Sequence, residues 1–232
     1  NADISTTTTA KTIDIKAGGD ITRTAGADIS TTNGHVRMES GGNLTVESIS
    51  AGTGNVYLKA TTDILDGDAG VDVTAGGLIL EAGSGIASGA DRLETTVTNL
   101  STTADADGTF VADSSAITVG SITVTVNRVG TDAATAATAK TQEDLTTTNG
   151  GAITISATDI TIGGGASGGG LSAAGAGNVL LTASTADIDI NANVDAGSGH
   201  ISVLATAGTL TQDADVTTTS TGTIDIEADA IT

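Results

Sequence analysis

Three columns of aliphatic residues recur along the chain about every 22 residues, and this recurrence constrains the fold more than any other feature. The first column runs Ile13, Val36, Val56, Leu78, Thr109, Ile153, Val179, Ile201 and Ile224. Its partner, two residues on, is Ile15, Met38, Leu58, Leu80, Val111, Ile155, Leu181, Val203 and Ile226. A second column follows at Ile21, Leu44, Ile64, Ile86, Ile117, Ile160, Ile188, Leu210 and Ile231. A third precedes the first at Ile4, Ile29, Ile49, Val71, Leu100, Leu145, Leu171, Val194 and Val216. Within segments such as "TIDIKA", "NVYLKA" and "AITISA" apolar residues alternate with polar ones, the period of a strand, and no helical period is found.

A turn of three short strands cannot bury its own apolar side chains, so the columns require turn to stack on turn, like over like. The expected fold is all-β, a parallel β-helix (β-solenoid) of about nine triangular turns, roughly 43 Å long at ~4.8 Å per turn. A β-sandwich would need antiparallel hairpins and an aromatic core, and the chain has one Phe, one Tyr and no Trp.

Glycine stands two residues before the first column at Gly34, Gly54, Gly76, Gly151, Gly177, Gly199 and Gly222. These are predicted to be structural turn glycines that enter the strand with φ > 0, where a Cβ would clash with the backbone. The Ser/Thr runs before them, as in "ADISTTNGHV", suit a corner because their hydroxyls bond nearby backbone groups.

The steps between first-column residues are 23, 20, 22, 31, 44, 26, 22 and 23. The three long steps predict insertions near residues 87–99, 118–144 and 163–170. The second holds an alternating run from Ile122 to Val129 and is expected to fold back as a strand. No polar cap closes either end. Residues 1–232 therefore read as a single segment of a longer array, or of a filament stacked end to end.

Outward positions between the paired core residues include Tyr57, Ile79, Phe110 and Leu180, a stripe on one face if a single register runs throughout. Either the 121–144 insertion covers this stripe, or it is a lateral contact with another protein or a sister filament. Thr22, Thr45, Thr118, Thr161, Thr211 and Thr232 form a single Thr row, interrupted by Leu65, Ala87 and Asp189. Ice binding on that row is a minor alternative, since Thr is simply a good strand residue.

Asp63, Asp66, Asp68 and Asp72 crowd the stretch "DILDGDAGVD". Such an oxygen-rich loop suits calcium, and solvated acidic turns account for the same residues. The sequons at Asn43 and Asn99 place Leu44 and Leu100 in core columns, which argues against their use. No catalytic set is expected. His35 and His200 take turn positions held elsewhere by Asn55 and Asn178, and Arg92 beside Asp91 and Glu94 is a thin candidate for acid–base work on a sugar.

The formal charge is −20, from 28 acidic and 8 basic residues. Such a surface repels nucleic acid and anionic membranes, and no apolar run is long enough to insert into a bilayer. It also keeps a long β surface soluble.

The turns "GGDITRTAGADISTTNGHVRMESGGNLTVESISAGTGNVYLKATTDI" resemble the filamentous-haemagglutinin-like β-helix of giant bacterial surface proteins and adhesins. "RLETTVTNLSTTADADGTFVADSSAITVGSITVTVNRVG" is similar to segments of very large extracellular bacterial proteins. The resemblance implies a right-handed helix, secretion, a place at the cell surface, and adhesive or scaffolding work. It carries over no catalytic residue. The expected function is thus a fibre or stalk segment supporting adhesion, biofilm matrix or cell contact, its partners being copies of itself or a neighbouring or host cell. A carbohydrate-active β-helix is the alternative.

Overall fold

A computed structural model describes residues 2–23, 26–165 and 167–232. Among them there is no helix, and hence none long and apolar enough to cross a membrane. Parallel strands stack into a β-solenoid of about 10 turns with ~22-residue spacing. Twenty-three strands join in one parallel sheet that winds around the core, and two more form an antiparallel hairpin outside it.

The aliphatic columns become files of side chains. Ile15, Met38, Leu58 and Leu80 lie directly over one another in paired strands. Ile21, Leu44, Ile64 and Ile86 form a second file, and Ile4, Ile29, Ile49 and Val73 a third. The third differs from expectation at one place. Val71 is 48% exposed, and Val73, two residues on, takes its place in the core.

Beyond Leu80 the files continue, but with different members from those the sequence columns supply. Leu78 pairs with Leu100 and Leu80 with Thr102, and from Thr102 the file runs on through Leu145, Leu171, Val194 and Val216. The third sequence column of the later turns therefore stacks on the first column of the earlier ones. Likewise Ile86 pairs with Thr109, and that file runs on through Ile153, Val179, Ile201 and Ile224. The pattern has slipped by one face of the triangle.

The slip corrects the reading of the 31-residue step. Residues 87–99 are not an insertion, because 78 to 100 is an ordinary turn of 22 and the corner before Leu93–Ala104 matches the corner one turn earlier. The step was long because it counted one turn plus one face. The cost of the slip is visible in the core. Thr95, Thr102, Thr109 and Asp113 are buried where aliphatic stacks would otherwise be continuous. Each such hydroxyl or carboxylate must find a partner when buried. Asp113 meets the demand by accepting from Thr95 Oγ1 (2.7 Å), the Val97 amide (2.9 Å), the Ser115 amide (2.7 Å) and Ser115 Oγ (2.6 Å).

The column glycines also correct the expectation. None of Gly34, Gly54, Gly76, Gly151, Gly177, Gly199 and Gly222 has positive φ; for all but Gly76 a left-handed residue stands one or two places earlier, at Asn33, Gly52, Gly150, Gly175, Gly197 and Ser220. What selects glycine is contact between turns. A Cβ on Gly54 would lie 2.2 Å from the Gly34 carbonyl oxygen, and one on Gly199 would lie 2.0 Å from that of Gly177. Corner side chains complete the stacking. Asn33 Oδ1 accepts the Thr53 amide (3.0 Å), and Asp20 Oδ1 accepts the Asn43 amide (2.8 Å).

Candidate functional site

The predicted insertion at 118–144 is the hairpin Ile122–Val129 and Thr135–Gln142. Its first strand runs back along the rod across four turns of one face. Ile122 meets the turn of Gly77, the Thr123 carbonyl accepts from Asn55 Nδ2 (2.9 Å), and the Asn127 amide donates to Thr12 Oγ1 (3.1 Å). Ile122, Val124 and Val126 bury Tyr57 and Ile79 beneath them. Of the two readings of the stripe, coverage by the insertion holds for these two residues.

Phe110 and Leu180 do not belong to that face. The slip carries them, with Thr154 between them, to the adjacent face, where both are half-buried. It divides the Thr row in the same way: Thr45 pairs with Leu65 on one face, while Thr118, Thr161, Asp189 and Thr211 align on another. Third-segment loop residues 163–165 and 167–170 separate consecutive strands as expected, and residue 166 lies outside the described residues.

Ion pairs fasten the hairpin at both ends. Arg128 Nε donates to Asp14 Oδ2 (2.7 Å), while Lys140 Nζ and Lys59 Nζ both donate to Glu81 (2.5 Å each). Tyr57 adds its hydroxyl to Glu81 Oε2 at 3.0 Å. Burial opposes ionisation of Glu81, but the bonds from Lys140, Lys59 and Tyr57 outweigh it and draw its carboxyl down to about 2. A depressed folded pKa stabilises the fold above the unfolded value, and the contribution is lost as pH falls through the folded one. Glu81→Gln should therefore narrow the loss of Tm between pH 5 and pH 2 relative to the parent, by about 2–4 °C for a contribution of about 1 kcal/mol. Thermal melts of both proteins across that range check it, and parallel pH profiles would remove Glu81 from the account.

The second chemically distinctive place is an acidic corner. Asp66 closes the strand Ile64–Asp66, and Asp72 stands at the entry to Val73–Ala82. One turn on, residues 88–94 repeat the corner. The Asp72 amide donates to the Glu94 carbonyl (2.9 Å), and the Glu94 amide donates to Asp72 Oδ2 (3.0 Å). Locally the Asp68 amide donates to Asp66 Oδ1 (3.0 Å) and the Gly70 amide to Asp68 Oδ1 (2.6 Å). These bonds point the carboxylates at one another: oxygens of Asp66, Asp68 and Asp72 all lie within 4.8 Å. Asp91 and Glu94 adjoin Asp66 from the next turn.

The cluster is electrostatically costly. Asp72 is 0% exposed, and its Oδ1 has no hydrogen-bond partner, nor have the buried Asp66 Oδ2 and Glu94 Oε2. Burial, and then the charge of Asp66, push the Asp72 carboxyl up to about 8. Burial also raises Asp66 and Glu94. The Arg23 guanidinium, on the side of the preceding turns, is shared electrostatically among Glu47, Asp28 and Asp72.

Of the four aspartates singled out in the sequence, Asp63 stands apart. Its Oδ1 accepts the Gly85 amide (3.1 Å) as part of the corner ladder. Asp91 and Glu94, read instead as companions of Arg92, are the missed members. The signal was available in the 22-residue offset that puts Glu94 over Asp72. Arg92 Nη1 meets Ser156 Oγ (3.2 Å). His35 and His200 serve the ladder, each accepting the next turn's amide on a ring nitrogen, from Asn55 at 2.9 Å and Thr223 at 3.2 Å.

Compared with protein-family models, with curated proteins and with solved structures, the chain matches none.

Proposed function

We propose that this solenoid is a structural segment of an extracellular bacterial fibre or stalk, in the manner of filamentous-haemagglutinin-like surface proteins. Its work is mechanical: it holds an adhesive tip, matrix or neighbouring cell at a distance, with copies of itself, or a cell surface, as partners. The observation that carries this reading is the continuous stack of about 10 parallel turns, whose aliphatic files are interrupted only at the polar level of Thr95, Thr102, Thr109 and Asp113. Bending such a rod must strain backbone ladders and apolar contacts on all three faces together, which gives stiffness without bulk. The hairpin adds a brace along one face, tying Thr12 and Asp14 to Gly77 and Glu81. A charge of −20 keeps neighbouring rods from adhering side by side.

Immunogold electron microscopy of cells that make the protein tests the proposal. Label distributed along straight surface fibres is expected, and label confined to the cell interior would overturn it. Release of oligosaccharides from acidic polysaccharides by the purified chain would favour the rival class, a carbohydrate-active β-helix.

A further inference from the structure

We infer that the acidic corner formed by Asp66, Asp68, Asp72, Asp91 and Glu94 is a calcium site that joins two consecutive turns of the solenoid. The case does not rest on the number of acidic residues. It rests on how their oxygens are divided. In Asp66 and Asp72 one carboxylate oxygen accepts a backbone amide, which fixes the side chain, while the other is buried with no hydrogen-bond partner. Glu94 Oε2 is buried and unpartnered as well. A fully buried carboxylate oxygen without a donor is among the most costly groups a fold can carry. Two of them, on Asp66 and Asp72, stand in a group whose Asp66, Asp68 and Asp72 oxygens lie within 4.8 Å of one another, with the Glu94 carboxyl against Asp66, and that is an arrangement a cation relieves.

The chemistry of the donors selects the ion. All are carboxylate oxygens, with no imidazole or thiolate among them, so a hard cation fits and zinc or copper does not. Calcium accepts six to eight oxygens in irregular arrangements, whereas magnesium demands a near-octahedral shell and keeps its waters. A corner assembled from two turns, with buried Asp72 on one side and exposed Asp68 and Asp91 on the other, supplies irregular oxygens and an open side for water. Positive charge is needed there: Arg23 is the cation that couples to Asp72, and it is shared with Glu47 and Asp28. The ligands come from residues 66–72 and 88–94, so binding would cross-link two turns just ahead of the register slip. The site does not depend on the fibre reading; only the affinity expected of it rests on the extracellular setting proposed above.

Calorimetric titration of the full chain with calcium chloride, after chelator treatment, is the direct test. Modules that work outside the cell bind with Kd of about 0.1–1 mM, and about 10 mM calcium should then raise Tm by roughly 3–10 °C. Magnesium at the same concentration should give a smaller shift. Asp72→Asn should weaken calcium binding about tenfold or more while leaving the chelated protein at least as stable, because it removes an uncompensated buried carboxylate. Asp68→Asn, an exposed change that leaves the core intact, should also lower affinity. Absence of binding heat and of a Tm shift in the parent overturns the inference. So does a calcium response that survives unchanged in both variants, or one that magnesium reproduces in full.

Discussion

Gly177→Val should be among the most damaging single substitutions in the chain, lowering stability by about 3 kcal/mol or more and Tm by about 6–12 °C. A Cβ on Gly177 would sit 2.1 Å from the carbonyl oxygen of Gly151, on the turn beneath. The obstacle is backbone, which cannot rotate away as a side chain can. Gly199 and Gly222 approach the turns below them in the same way, at 2.0 Å from the Gly177 oxygen and 2.3 Å from the Gly199 oxygen. Relief at one level therefore displaces the levels above. Gly18→Val is the control, since a Cβ there meets nothing within 4 Å, and it should change stability by no more than about 0.5 kcal/mol. Gly177→Asn separates the two possible reasons for glycine. Asn tolerates left-handed backbone, so it would be mild if φ were the cause, and it should be as damaging as Val if close approach is. Thermal and denaturant unfolding of the three variants decides; equal stability of the Gly18 and Gly177 valine variants would refute the account.

That distinction also marks how far the sequence could be read. Periodicity located the main files within each half of the molecule (though not the place of Val73 or the file of Val119, Ile162 and Ile190), because a parallel stack places chemically similar residues over one another and so writes its period into the chain. Ile15, Met38, Leu58 and Leu80 were legible for that reason. Phase was not legible. The corner phrase "ISTTNGHV" at Ile29 and its counterpart "LTTTNGGAI" at Leu145 read alike, yet they turn different corners of the triangle, one entering the face that holds Val36 and the other the face that holds Ile153. Periodicity counts residues per turn and is blind to a rotation shared by every later turn. The acidic corner fell between these cases. Asp66, Asp68 and Asp72 are neighbours in sequence, while Asp91 and Glu94 join them only through the 22-residue offset. The two unpartnered oxygens on Asp66 and Asp72 have no sequence signature at all, since orientation depends on which amide each carboxylate accepts.

Asp113→Ala should cost about 4 kcal/mol, more than an exposed aspartate could, and the damage should centre on the register slip. At this level the files change members, and the side chains meeting in the core include Thr95, Thr102 and Thr109. Asp113 accepts four hydrogen bonds there, from Thr95 Oγ1, the Val97 amide, and the amide and hydroxyl of Ser115. Alanine leaves the buried Thr95 hydroxyl and Val97 amide without that acceptor, while the half-buried Ser115 hydroxyl keeps the Val97 carbonyl (3.1 Å), and each buried donor without an acceptor costs about 1–3 kcal/mol. Asp113→Asn keeps the shape but turns one oxygen into an amine among donors, so it should lose roughly half as much. Amide hydrogen exchange supplies the local readout. Val97 and Ser115 should lose protection in Asp113→Ala, while Ile155 and Leu181, in files beyond the junction, should follow only the global change. Unaltered protection at Val97 and Ser115 would mean that the aliphatic files alone hold the two halves in phase. If protection is lost there first, one carboxylate fixes the rotation between two otherwise interchangeable stacks, and the polar core at 95–113 is what makes this register unique among three.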